Sequence, residues 1–221
     1  MKNLKMCFFV VVFLCSVPAC AFAQTYWIAA FGDSLTEGYG VDKQDAFPVQ
    51  LADFLYEDGY DIGVINAGKT GNTTRDALAR FQDTLKKMPD VMIIQFGVND
   101  VIKGLPIEET EKNLSRMVSA ARKNDVAVLL AGINVPRVSP QINPADYAAM
   151  YRRISKKYRV PLYPNFTAGV ADYSTLQFNK QFLGADEMHP NVDGIGVIAE
   201  GILPYVKEIL NALDVRYSSG E

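Results

Sequence analysis

Asp186-Glu187-Met188-His189 holds the only imidazole in the chain, three residues after a carboxylate. Imidazole is the side chain whose ordinary acidity lets it exchange a proton near neutral pH, and a nearby carboxylate fixes its tautomer and stabilises its charged form. Such a base activates a serine hydroxyl, a poor nucleophile on its own. Ser34, in Gly32-Asp33-Ser34-Leu35, is the candidate nucleophile, and Asp186 is the candidate partner of His189, with Glu187 and Asp193 as the other nearby carboxylates. Attack on an acyl carbon creates an oxyanion that needs hydrogen-bond donors. The turn at Ser34 offers a backbone N–H, the glycine-rich turn at Gly71 another, and Asn99 in Gly97-Val98-Asn99-Asp100 a side-chain amide. The chemistry these types complete is acyl transfer. A metal site is not expected, because one histidine excludes any multi-histidine centre.

These blocks are useful only if the fold brings them together. Apolar runs at Tyr26 to Phe31, Asp61 to Asn66, Val91 to Phe96, Val126 to Ala131 and Val160 to Tyr163 begin 30 to 35 residues apart. Segments of helical period separate them, at 46–58, 73–87, 107–123 and 144–157. A last helix is expected over about 192–213, interrupted by Gly194, Gly196, Gly201 and Pro204. Strands alternating with helices predict βαβ units and a parallel sheet covered on both faces. In such doubly wound sheets ligands bind beyond the carboxyl ends of the strands. The Ser34, Gly71 and Asn99 blocks each follow a predicted strand, so they meet at that edge.

Taken as an ordered set, these blocks resemble the SGNH (GDSL) hydrolase superfamily. Gly-Asp-Ser-Leu-Thr-x-Gly-Tyr-Gly at 32–40 is similar to its bacterial acyl-CoA thioesterase I, lysophospholipase and arylesterase branch. The likeness runs over about residues 26–213. It implies a flavodoxin-like three-layer α/β/α fold with five parallel strands and a Ser34, Asp186, His189 triad. It also implies an oxyanion hole of the Ser34 N–H, the Gly71 N–H and the Asn99 amide, and no cofactor. The implied activity is hydrolysis of carboxylic esters or thioesters, with small acyl substrates, lysophospholipids among them. Lys69, beside the oxyanion glycine, departs from the family pattern. Leu35, Val98, Ile102, Leu105, Val135, Pro136 and Met188 fall near the predicted strand ends or the blocks and are candidates for an acyl groove. An O-acetylesterase acting on carbohydrate or peptidoglycan is the alternative enzyme, and a catalytically idle binding module on the same fold a further one.

A second motif points elsewhere. Gly63-Val64-Ile65-Asn66-Ala67-Gly68-Lys69-Thr70 matches the phosphate-loop pattern letter for letter. That motif works when a strand precedes the first glycine and a helix opens at the lysine. Here Val64 and Ile65 read as strand, and Gly71 follows Thr70, so a nucleotide site is not expected.

Composition sets the context. The 221 residues carry 22 Lys and Arg against 25 Asp and Glu, a net charge of −3 that offers nucleic acid no general attraction. Residues 1–23 read as a signal peptide: Lys2 and Lys5, an apolar stretch from Met6 to Val17, and a cleavage site at Ala21-Phe22-Ala23. The apolar stretch is shorter than the roughly twenty residues a spanning helix needs. Acylation of Cys20 is the weaker alternative, given Pro18 in the stretch before it. Cleavage after Ala23 would remove Cys7, Cys15 and Cys20, every cysteine present. The expected product is an exported, monomeric single domain, residues 24–221, without a membrane anchor.

Overall fold

The computed structural model describes residues 25–219, so the expected signal peptide lies outside the described residues. In chain order the main elements are β1 (Tyr26–Gly32), α1 (Ser34–Glu37), α2 (Phe47–Glu57), β2 (Ile62–Gly68), α3 (Thr74–Leu85), β3 (Val91–Gln95), α4 (Val98–Ile102), α5 (Ile107–Lys123), β4 (Ala127–Ala131), α6 (Pro144–Tyr158), β5 (Leu162–Tyr163), β6 (Ala171–Asp172), β7 (Gln177–Phe178) and α7 (Val192–Ser219). The first five strands form one parallel sheet in the order β2-β1-β3-β4-β5, the flavodoxin-like arrangement. Its switch point lies between β1 and β3, where the chain leaves one strand toward Ser34 and the other toward Asn99.

Local chemistry explains the helix ends. Thr73 and Asp76 form a reciprocal capping box at the start of α3, and the Asn143 side chain accepts from Ala145 N–H before Pro144 in α6. The apolar period of α5 buries Leu114, Met117, Val118 and Ala121. All five residues of β3 are buried, as the central strand of a doubly covered sheet requires. Beneath the carboxyl ends, Phe31 packs edge-on against Phe81 and Phe96 at 5.4 and 5.3 Å. Such pairs contribute about 0.5–1.5 kcal/mol each beyond their burial, so the floor under the switch point is stiff.

The last helix differs from expectation, running unbroken to Ser219. Its glycines are points of close approach: a Cβ on Gly194 would sit 2.2 Å from the Phe182 carbonyl oxygen, and one on Gly201 2.6 Å from the Tyr163 hydroxyl. Pro204 is tolerated because the carbonyl it cannot pair belongs to Glu200, an exposed position. β5 is shorter than its apolar run, since Pro161 has no N–H to donate; its carbonyl still accepts from Leu130 N–H at 3.0 Å. The phosphate-loop match is also resolved. Gly63 through Gly68 lie inside β2, and α3 opens only at Thr74, so no helix opens at Lys69 as the motif requires.

Candidate active site

Asp33 ends the turn out of β1 and caps α1, its carboxylate accepting from Leu35 N–H at 3.0 Å. This places Ser34 at the first position of a one-turn helix, 8% exposed, at the rim of the sheet. Across the rim, the 164–191 connection ends in a tight turn in which Glu187 takes a left-handed conformation, φ 53°. The Asp186 carboxylate accepts from the backbone N–H groups of Met188 and His189, at 3.0 and 2.9 Å, and lies 2.6 Å from His189 Nδ1. His189 Nε2 lies 2.9 Å from Ser34 Oγ. With the ring proton on Nδ1, facing the carboxylate, Nε2 accepts from the serine hydroxyl. Neither rival carboxylate is bonded to His189: Glu187 lies 3.6 Å from Lys180, and Asp193 is in the first turn of α7.

Partial burial pulls the Asp186 carboxyl upward. The hydrogen bonds from His189 and Met188 outweigh it and hold the group down at about 2. The hairpin of β6 and β7 buttresses this turn, since the Tyr173 hydroxyl donates to the Met188 carbonyl at 2.9 Å. Tyr39 lays its ring against His189, centroids 4.6 Å apart. A cavity of about 230 Å³ opens beside the His189–Asp186 pair, lined by Tyr39, Gly40 and Gly184 through Asp186. A larger one, about 630 Å³, lies on α5 and α6 among Lys112, Arg116 and Lys157; none of the predicted site residues lines it.

The oxyanion candidates converge on the same rim. Gly71 adopts φ 73°, a left-handed turn that glycine enters without cost, and open space surrounds the position a Cβ would occupy. Asn99, in α4, donates its amide to the Asn72 carbonyl at 3.1 Å and approaches the Asp33 carboxylate at 3.4 Å. The first contact uses one amide hydrogen and aims the group. Neither the Ser34 nor the Gly71 N–H has a protein acceptor among the described residues.

Several supporting residues were given no role by the sequence blocks, although Asp33 and Asp100 lie inside two of them. Gln95, wholly buried at the end of β3, accepts from the Thr36 hydroxyl at 2.9 Å and donates toward Asp33 at 3.4 Å. Its signal was a polar residue closing an apolar strand. Asp33 is itself buried, and desolvation raises its carboxyl to about 6 against the lowering effect of the Leu35 N–H and Gln95. Asp100, also buried, accepts from Thr74 N–H at 2.9 Å and from the hydroxyls of Thr74 and Thr110, joining α4 to the start of α3. Asn72 and Arg80 had no signal at all.

Of the candidate groove residues, Ile102 and Met188 are about half exposed and Val98 and Pro136 partly so. Leu105 lines a cavity of about 240 Å³ between the start of α5 and the start of α6. Leu35 and Val135 pack in the core, 6% and 0% exposed, and offer a substrate no comparable surface; the turn and loop that carry them pack those side chains inward. Lys69 is exposed, and no metal-binding group of His, Cys, Asp and Glu occurs among the described residues.

Proteins of known activity resemble this chain in sequence and in fold. The chain is 29% identical over 191 residues to an arylesterase of Vibrio mimicus, covering 86% of this chain and 92% of that one. It is 28% identical over 181 residues to thioesterase 1/protease 1/lysophospholipase L1 of Escherichia coli, covering 81% and 83%. A crystal structure of TesA superposes with a TM-score of 0.74 at 27% identity, over 84% of this chain and 99% of that one. Residues 30–195 match the GDSL-like lipase/acylhydrolase family, and the chain belongs to it, as a serine ester hydrolase of the SGNH fold.

Proposed function

We propose that the protein hydrolyses small carboxylic esters and thioesters, of arylesterase, thioesterase or lysophospholipase type, through an acyl-enzyme on Ser34. The observation that carries this reading is the continuous chain from Ser34 Oγ through His189 to Asp186, at 2.9 and 2.6 Å, with the Asn99 amide bonded to the Asn72 carbonyl beside Gly71 and close to Asp33 beside Ser34. His189 takes the serine proton as Ser34 Oγ attacks the acyl carbon, and Asp186 stabilises the imidazolium. The oxyanion is received by the Ser34 and Gly71 N–H groups and the Asn99 amide. His189 then protonates the leaving alcohol or thiol, and afterwards deprotonates the water that releases the acid.

The half-exposed Ile102, on the helix that carries Asn99, and Met188, next to His189, support an open apolar groove for short to medium acyl chains. Lys69, exposed and two residues before Gly71, is available to a substrate's polar end. Residues 1–23 serve as a signal peptide cleaved after Ala23, and the exported product is a monomeric single domain. Among the described residues no helix is long and apolar enough to cross a membrane. Hydrolysis rates on nitrophenyl esters from acetate to decanoate test the substrate reading: rates should hold or rise through medium chains. A steep fall beyond acetate would identify a sugar O-acetylesterase instead.

A further inference from the structure

Arg80 belongs to none of the sequence blocks, yet its hydrogen bonds reach the segments that lead to Ser34 and follow Gly71. Its side chain rises from α3, half-buried, with the guanidinium 4.3 Å over the Phe31 ring. Nε donates to the Asn72 side-chain oxygen at 2.7 Å, and the terminal nitrogens donate to the carbonyls of Ala67 at 2.7 Å and Gly32 at 2.8 Å. Gly32 is the last residue of β1, two before Ser34. Ala67 lies at the end of β2, and Asn72 directly follows Gly71. The Asn72 backbone carbonyl in turn accepts the Asn99 amide at 3.1 Å.

A hole for an oxyanion accelerates reaction only when its donors already point to where charge will develop. The Gly71 turn has open space on its Cβ side, so it is held by polar contacts: Asn72 N–H to the Lys69 carbonyl at 3.1 Å, Lys103 Nζ to the Gly71 carbonyl at 2.6 Å, and Arg80. Two links join that turn to the strand end that precedes the nucleophile: the Lys69 N–H, which donates to the Gly32 carbonyl at 3.0 Å, and Arg80, which reaches the same carbonyl and, from its own side chain, Asn72 as well. Three acceptors around one plane suit a guanidinium, whereas an ammonium on a flexible stem cannot reach all of them in that geometry.

We infer that Arg80 is a positioning residue for the oxyanion hole: by tying Asn72 to the ends of β1 and β2 it sets the spacing of the Ser34, Gly71 and Asn99 donors. It therefore acts on the tetrahedral intermediate and leaves binding of the ester unchanged. This rests on the donor assignment proposed above.

Kinetics of Arg80→Ala, Arg80→Lys and Asn72→Ala on a nitrophenyl ester, alone and combined with Asn99→Ala, provide the test. A donor misplaced by about 1 Å costs on the order of a hundredfold in rate, so Arg80→Ala should lose about that in kcat with KM nearly constant. Arg80→Lys should remain impaired, because charge without the fork does not hold the turn. Added ethylguanidinium should restore part of the Arg80→Ala rate, and ethylammonium should not. In the Asn99→Ala background the Arg80→Ala loss should shrink well below a hundredfold, since one positioned donor is already gone. Unchanged kcat, a loss confined to KM, or the full loss repeated beside Asn99→Ala would overturn the inference. Should Arg80→Ala fail to fold, Asn72→Ala, which leaves the Gly32 and Ala67 contacts in place, decides by the same criteria. Full activity in Asn99→Ala alone would instead remove the donor assignment, a separate failure.

Discussion

The two sides of the site are built in opposite ways. On the nucleophile side, Asp33 and Gln95 are buried, and their contacts join residues about sixty positions apart, from β1, β3 and the α4 turn. On the base side, Asp186 and His189 lie in one four-residue turn; their side chains are 38% and 25% exposed, and their bonds are local. The difference appears in the two aspartates. Burial drives Asp33 up to about 6, whereas hydrogen bonds hold Asp186 down at about 2. A nucleophile with its oxyanion donors tolerates little displacement, so the floor is over-determined. The base is set by its own turn, by the Tyr173 buttress and by the Tyr39 ring laid against His189.

The largest effect should come from cutting the link between the two sides. Ser34→Ala or His189→Ala is expected to lower turnover on the order of a millionfold, and a fluorophosphonate should label the wild-type protein once, at Ser34. Labelling that persists in Ser34→Ala would dismiss the nucleophile assignment. On the base side alone, Asp186→Asn keeps the shape but loses the charge that orients the ring, and kcat should fall about ten-thousandfold by steady-state assay. If Glu187 or Asp193 can substitute, the loss will be far smaller. On the nucleophile side alone, Asn99→Ala should cost roughly a hundred- to a thousandfold in kcat.

The smallest effect concerns stability, and its sign separates the two regions. For Asp33 the folded-state value lies above the ordinary 3.8, so its contribution is fully present below that value and is lost as pH rises through about 6. Denaturant unfolding at pH 4 and pH 7 should show roughly 2–3 kcal/mol of this loss in the wild type, and a flatter profile in Asp33→Asn. Asp186 works the other way: its contribution is present above 3.8 and is lost only as pH falls through about 2. An unfolding profile in Asp33→Asn as steep as the wild type's between pH 4 and 7 would show that burial of Asp33 does not set this slope.

What could be read in advance follows the same division. The Asp186-to-His189 spacing is a local fact, because three residues span one turn, so the pair was visible in the chain. Five strands and five helices were visible because apolar runs alternate with segments of helical period, and the interval of 30 to 35 residues implied crossovers. Less was visible where meaning depends on a distant partner. The glycines of α7 read as interruptions until Phe182 and Tyr163 were seen against them. Leu35 and Val135 read as groove residues, because nothing in an apolar side chain near a strand end says which way it turns. The β6–β7 hairpin has two-residue strands, too short to show a period.

By itself, then, the sequence determined the fold class, the candidate reacting types and the order of their blocks along the chain, all of which depend on local periodicity and spacing. Tertiary structure alone decided the strand order that puts Ser34 and Asn99 at one switch point, and the burial of Asp33. It alone brought Arg80 under the Gly71 turn. An arginine in an amphipathic helix looks like any solvated cation. It becomes part of the site only when two strand ends and a turn, from separate parts of the chain, present their oxygens to it.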